Sequence, residues 1–117
     1  METNKNHSIK LIYDLDQRSF KPDKEPEVKP GESISFVLVT IPAPNSEYSD
    51  INFGFRVVMD KPDLFEPSEA NNSDTEMVLT KKLTTRTTYT CELIDPRTDK
   101  TLAVGSGKSG GGVRPGD

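Results

Sequence analysis

Ile51-Asn52-Phe53-Gly54-Phe55-Arg56-Val57-Val58-Met59-Asp60 places Ile51, Phe53, Phe55, Val57 and Met59 on one side of an extended chain. Asn52, Gly54, Arg56 and Asp60 fall on the other. Successive side chains of a strand point to opposite faces, so this period of two predicts a half-buried strand. The same pattern recurs on either side of it. Ile9, Leu11, Tyr13 and Leu15 alternate with Lys10 and Asp14. Ile34, Phe36 and Leu38 share a face opposite Ser33 and Ser35, and Val37 and Val39 make the second face apolar as well, which predicts a central strand. Met77, Leu79 and Leu83 mark a further strand. Residues 84–94 are rich in β-branched side chains, with Tyr89, Cys91 and Leu93 on one face. Leu102 and Val104 form a returning strand.

Turn chemistry separates these runs. Pro22, Pro26 and Pro30 mark a loop or a ragged sheet edge, because proline cannot donate to a ladder. Lys29-Pro30-Gly31-Glu32 reads as a turn, and Pro42 and Pro44 stop the strand that follows it. Residues 61–74 read as a long polar loop with room for one helical turn near Asp63-Leu64-Phe65. Asp95-Pro96-Arg97-Thr98-Asp99-Lys100 reads as a hairpin loop. No sustained helical period and no internal repeat is present. The expected fold is all-β: one antiparallel β-sandwich of about seven strands, immunoglobulin-like or cupredoxin-like.

The chain of 117 residues has the length of one domain. Hydrophobic residues are only 32% of it, which implies long polar loops or an end outside the core. Six of the eight glycines lie from Gly105 onward. The division expected is therefore a sandwich over residues 1–105 and a mobile, Gly-rich C-terminal tail over residues 106–117. The net charge of −4 and the lack of any basic cluster beyond Lys81-Lys82 argue against a nucleic-acid partner. No apolar run approaches the ~18 residues that span a membrane, and the N-terminus has no apolar signal region. A cytoplasmic location is expected.

The motifs that would carry chemistry are incomplete. Cys91 is the single cysteine, so neither an intramolecular disulfide nor a cysteine-based zinc site can form. Cys91 and His7 are the only candidates for a Cys–His nucleophile pair, but Cys91 sits on an apolar strand face and His7 reads as a solvated terminal residue. Gly105-Ser106-Gly107-Lys108-Ser109 lacks the glycine that a phosphate loop needs at position 102, which is Leu102. The carboxylates between Asp60 and Asp74 show no metal-ligand spacing. The sequence thus assigns no catalytic, cofactor-binding or metal-binding residue, and no cofactor.

Three resemblances bear on the fold. Tyr89-Thr90-Cys91 resembles the tyrosine corner of immunoglobulin-like domains. Pro30-Gly31-Glu32-Ser33-Ile34-Ser35-Phe36 resembles the opening of a strand in small cupredoxins. Blue copper needs two His and a Cys, and this chain has only His7, so the copper site is missing. The layout of the last third is similar to the small bacterial sandwich proteins of the DP-EP family, which carry Ser-Pro-Asp-Pro after the last strand. That resemblance implies self-cleavage near the C-terminus. Here the corresponding stretch is Gly105 to Ser109, and the only Asp-Pro is Asp95-Pro96 in the hairpin.

The function expected is a non-catalytic binding or protein-interaction module. It would act through a sheet face, an edge or the loop of residues 61–74, since loops on a rigid scaffold are where such domains bind. The partner expected is a protein, with a homo-oligomer as one case. The alternatives are self-processing through Asp and Lys residues near the C-terminus, as the family resemblance implies, and a structural subunit of a larger assembly with Phe53 and Phe55 or an edge strand forming the contact. Phe36, Phe53, Phe55, Tyr89 and Leu93 are the expected core. Phe55→Ala should then cost ~3–5 kcal/mol in denaturant unfolding, and a loss below ~1 kcal/mol would place Phe55 on a surface.

Overall fold

The computed structural model describes residues 5–14, 19–41, 53–105 and 111–116. The protein is all-β, and among the described residues the one helical element is a 3-10 turn at Pro62–Leu64, where the sequence allows one helical turn. The strands are β1 (Asn6–Asp14), β2 (Ser19–Pro22), β3 (Glu27–Val28), β4 (Ser33–Ile41), β5 (Gly54–Met59), β6 (Phe65–Glu66), β7 (Glu69–Ala70), β8 (Met77–Leu79), β9 (Thr87–Asp95), β10 (Lys100–Gly105) and β11 (Gly112–Pro115). One sheet runs β2-β1-β4-β8-β6. The other runs β3-β11-β9-β5-β7, with β10 also paired to β9.

The expected strands are present, and the alternating stretch from Gly54 to Met59 becomes β5, paired antiparallel to β9 from Gly54↔Ile94 to Met59↔Tyr89. Ile51 and Asn52 before it, and also Leu15, lie outside the described residues. The sheets are mixed rather than purely antiparallel. β1 lies parallel to β4 from Asn6↔Ser33 to Asp14↔Ile41, and β11 lies parallel to β3. Alternation fixes which face of a strand is buried but carries no information about the direction of its neighbour. The proline-bearing stretch is indeed a ragged edge: Pro22 ends β2, and β2 and β3 are the outer strands of their sheets.

The two sheets bury their inner faces against each other in one core. Ile9 and Leu11 of β1, Ile34 and Phe36 of β4, Val57 and Met59 of β5 and Tyr89, Cys91 and Leu93 of β9 are all buried in it. The Phe36 and Tyr89 rings meet edge to face, 4.9 Å between centroids, and so join the two sheets directly. Phe55 is buried as expected, and Phe53 packs half-buried against the same core. Phe55 is thereby enclosed, while Phe53 keeps part of its surface exposed. β4 is the middle strand of its sheet, but its second face is not covered: Val37, Val39 and Ile41 are exposed.

The turn at residues 29–32 explains its sequence. The Glu32 amide donates to the Lys29 carbonyl at 3.0 Å, and Gly31 has φ of 88°. Proline then glycine at the two central positions, with glycine in the left-handed region, is the geometry of a type II turn.

The end of the chain departs from expectation. Residues 106–110 lie outside the described residues, but residues 111–116 belong to the fold. Gly112 and Val113 pair with Thr88 and Thr87 of β9, and Arg114 and Pro115 pair with β3. Val113 is fully buried. The Arg114 amide donates to Pro26 O at 2.9 Å and the Gly116 amide to Val28 O at 3.0 Å. Glu25 accepts from Arg86 at 2.7 Å and lies 3.3 Å from Arg114. The reading of glycine as a sign of mobility fails here for a steric reason. A Cβ on Gly111 would overlap the Tyr89 hydroxyl and come within 2.9 Å of Pro22. One on Gly112 would lie 2.5 Å from the Arg86 guanidinium. These glycines admit close packing. Gly111→Ala should therefore cost about 1–3 kcal/mol in denaturant unfolding. No measurable loss would show that Tyr89 and Pro22 yield freely and that the last strand is not tightly seated.

Candidate functional site

Where β5 leaves the second sheet and β9 enters it, two segments face each other across a cleft of about 490 Å³. One wall is Asp60, Lys61, Pro62, Asp63 and Leu64, and the other is residues 81–85. The first wall is fixed, and it is tied to the chain on either side of the second. Pro62 at the head of the 3-10 turn presets its backbone, and the Leu64 amide closes the turn on Lys61 O at 3.2 Å. The Leu64 carbonyl then accepts from the amide of Thr80 at 2.8 Å and from its hydroxyl at 3.1 Å. At the other end, the Asp60 carboxylate accepts from the hydroxyls of Thr88 and Thr90, and the Asp60 amide donates to Thr88 O at 3.1 Å. Leu83 is buried and Leu64 half-buried, so the cleft has an apolar floor. Lys61, Lys81 and Lys82 are exposed around it, and none of them forms an ion pair or side-chain hydrogen bond with the described residues.

A second, shallower cleft of about 410 Å³ is lined by Lys5, His7, Glu27, Lys29, Glu32 and Gly116. His7 is not the solvated terminal residue the sequence suggests. It lies within β1, and parallel pairing sets it beside Ile34 of β4. Its ring is largely covered, and Nε2 lies 3.1 Å from Glu32 Oε1. The same Glu32 oxygen accepts from the Lys29 amide at 2.9 Å. That backbone bond, and then the contact with His7, hold the Glu32 carboxyl below its ordinary value.

Cys91 and His7 are not brought together as a nucleophile and base. Cys91 is fully buried in the core, while His7 sits at the rim of the second cleft on the other sheet. Burial pushes the Cys91 thiol up to about 12, so at neutral pH it is an un-ionised apolar group. Tyr89 is buried on the same strand face, and its hydroxyl finds no hydrogen-bond partner among the described residues. It therefore does not make the hydroxyl-to-backbone bond of a tyrosine corner there. Asp95, in the only Asp-Pro step, is held by the Arg97 side chain at 3.0 and 3.1 Å and by the Arg97 amide at 2.9 Å. These bonds lower its carboxyl and close the hairpin turn. No group of three or more His, Cys, Asp or Glu placed to hold a metal ion occurs among the described residues. Among those residues no helix is long and apolar enough to cross a membrane.

Sequence reasoning placed the first wall within the polar loop of residues 61–74 but missed the second. Lys81-Lys82 was visible as the densest basic pair, and only the fold brings it opposite Lys61.

The chain matches no protein-family model, no curated protein and no solved structure.

The Glu32 geometry has a pH signature. Its folded-state value lies below the ordinary 4.5, so its contribution is complete above that value and is lost as pH falls through the folded one. Glu32→Gln should lower the thermal midpoint at pH 7, and the difference from the parent should shrink progressively as the pH is lowered from 7 through the folded-state value of Glu32. A difference that stayed constant over that range would show that the charge of Glu32 is not what the turn uses.

Proposed function

We propose that the chain is a non-catalytic binding module that acts through the cleft between residues 60–64 and 81–85. The observation that carries this is a cleft held at both ends, where Leu64 binds Thr80 just before the second wall and Asp60 binds Thr88 and Thr90 just after it. Pre-formed concave sites with an apolar floor and a few polar groups are where small ligands and short segments bind. The non-catalytic character is supported by the state of the nucleophile candidates: the Cys91 thiol is enclosed and un-ionised, and His7 is engaged by Glu32.

The fold reading that accompanies this is a β-sandwich of the cupredoxin-like rather than the immunoglobulin-like kind. The long parallel pair β1–β4 in the interior of one sheet favours it, because immunoglobulin-like sheets are antiparallel. The partner proposed is a protein or a small molecule seated in the cleft.

A library of small neutral and charged fragments, followed by amide NMR shifts, tests the site. Bound fragments should shift the amides of residues 60–64 and 81–85, and Thr84→Trp, which fills the cleft from an exposed position, should abolish the shifts and leave the rest of the spectrum unchanged. Fragments that gather instead on the exposed Val37, Val39 and Ile41 face of β4 would move the binding surface there.

A further inference from the structure

We infer that the cleft between residues 60–64 and 81–85 takes a small organic oxyanion, one that carries two or more carboxylate or phosphate charges. This rests on the reading of that cleft as the binding site and names the ligand chemistry.

The charge of the chain is locally inverted at the cleft. The chain carries a net charge of −4. The cleft is lined by three lysines, Lys61, Lys81 and Lys82, and two aspartates, Asp60 and Asp63. Of the two, Asp60 is already committed, since both of its oxygens accept threonine hydroxyls. Those neutral hydroxyls leave Asp60 its charge, so three ammonium groups stand against two carboxylates and the cleft has an excess of one positive charge in a chain of net −4; of the two carboxylates only Asp63 has no hydrogen bond among the described residues. A cation would meet net repulsion from this set, whereas an oxyanion would meet three mobile point charges. The exposed Thr84 and Thr85 supply hydroxyl donors on the same wall.

The size and lining narrow the class further. A cleft of about 490 Å³ falls in the range of small-molecule sites. Leu64, Leu83 and Pro62 give it an apolar floor that a hydrated inorganic ion would leave unused, so the ligand has a carbon skeleton as well as its charges. No aromatic ring and no arginine lines it, which removes the stacking platform and the guanidinium forks that nucleic-acid recognition draws on. Lysine on flexible stems suits anions whose charges are spread over several directions.

The test uses citrate and inorganic pyrophosphate as probes, titrated into the full chain at constant ionic strength so that screening does not vary. Both carboxylate and phosphate sources are covered, and amide shifts locate the contact. The expected result is saturable shifts at residues 60–64 and 81–85 with at least one probe. The triple variant K61Q/K81Q/K82Q should weaken that binding about tenfold or more, the effect of losing three exposed charge contacts. A second triple variant, K10Q/K21Q/K100Q, removes the same charge from exposed positions outside the cleft and should change affinity less than about twofold. Equal weakening by both variants would show a diffuse effect of net charge and overturn the inference. So would the lack of saturable binding by both anions. If neutral fragments still bind the cleft in that case, the binding site stands and only its anion chemistry falls.

Discussion

The edge-to-face contact of Phe36 with Tyr89 is the constraint on which the rest of the molecule depends. Each ring comes from the middle of its sheet, β4 in one and β9 in the other, and both are fully buried. With hydrophobic residues only 32% of the chain, no second apolar layer is available, and the two sheets must share this one core. Aromatic pairs of this geometry add roughly 0.5–1.5 kcal/mol beyond the area they bury. Placing Tyr89 there also has a cost, because its hydroxyl is buried without a partner among the described residues. Desolvation raises its pKa well beyond the ordinary tyrosine value, so the ring acts as an apolar filler at any physiological pH.

The last strand follows from that choice. A tyrosine reaching to the edge of the core leaves no room for a side chain beside its hydroxyl, and Gly111 occupies that position. Once Gly111 passes the ring, Val113 drops into the core and β11 can pair β9 on one side and β3 on the other. The ion pairs of Glu25 with Arg86 and Arg114 decorate this arrangement. As half-exposed pairs they are worth little, so the seat of β11 is the buried Val113 and the ladder rather than the charges.

What the sequence made legible and what it hid divide along physical lines. Period-two runs gave the faces of β1, β4, β5 and β9, since burial of one face repeats every second residue whatever the neighbour. The turn at residues 29–32 was legible because proline and glycine have their own backbone limits. Strand direction was not, and the parallel β1–β4 pair is the result. The exposure of Val37 and Val39 was hidden for a related reason: apolar content on both faces says what a strand could bury, not what covers it. His7 looked solvated because nothing local shows that β1 begins at Asn6 or that Glu32 stands opposite. Glycine near the terminus was the most misleading signal. Its conformational cost is readable from sequence, but its use beside a tyrosine 22 positions earlier appears only when the two meet in space.

The cleft shows the same separation of roles between groups that build and groups that remain available. Its ends are held by an aspartate, three threonines and backbone amides, all short groups that lose little freedom when fixed. The ion pairs among the described residues are likewise made by arginine and histidine, never by lysine. Lysine, with a long stem and a strongly hydrated head, gains least from a surface pair and loses most side-chain entropy to it. Among the described residues the lysines therefore form no ion pairs, and at residues 61, 81 and 82 three of them gather around a cleft that is held at both ends. A ligand arriving there would have to order three lysine side chains. That favours a partner with enough charge to engage all three at once, because a single charge would leave two ammonium groups repelling each other across the cleft.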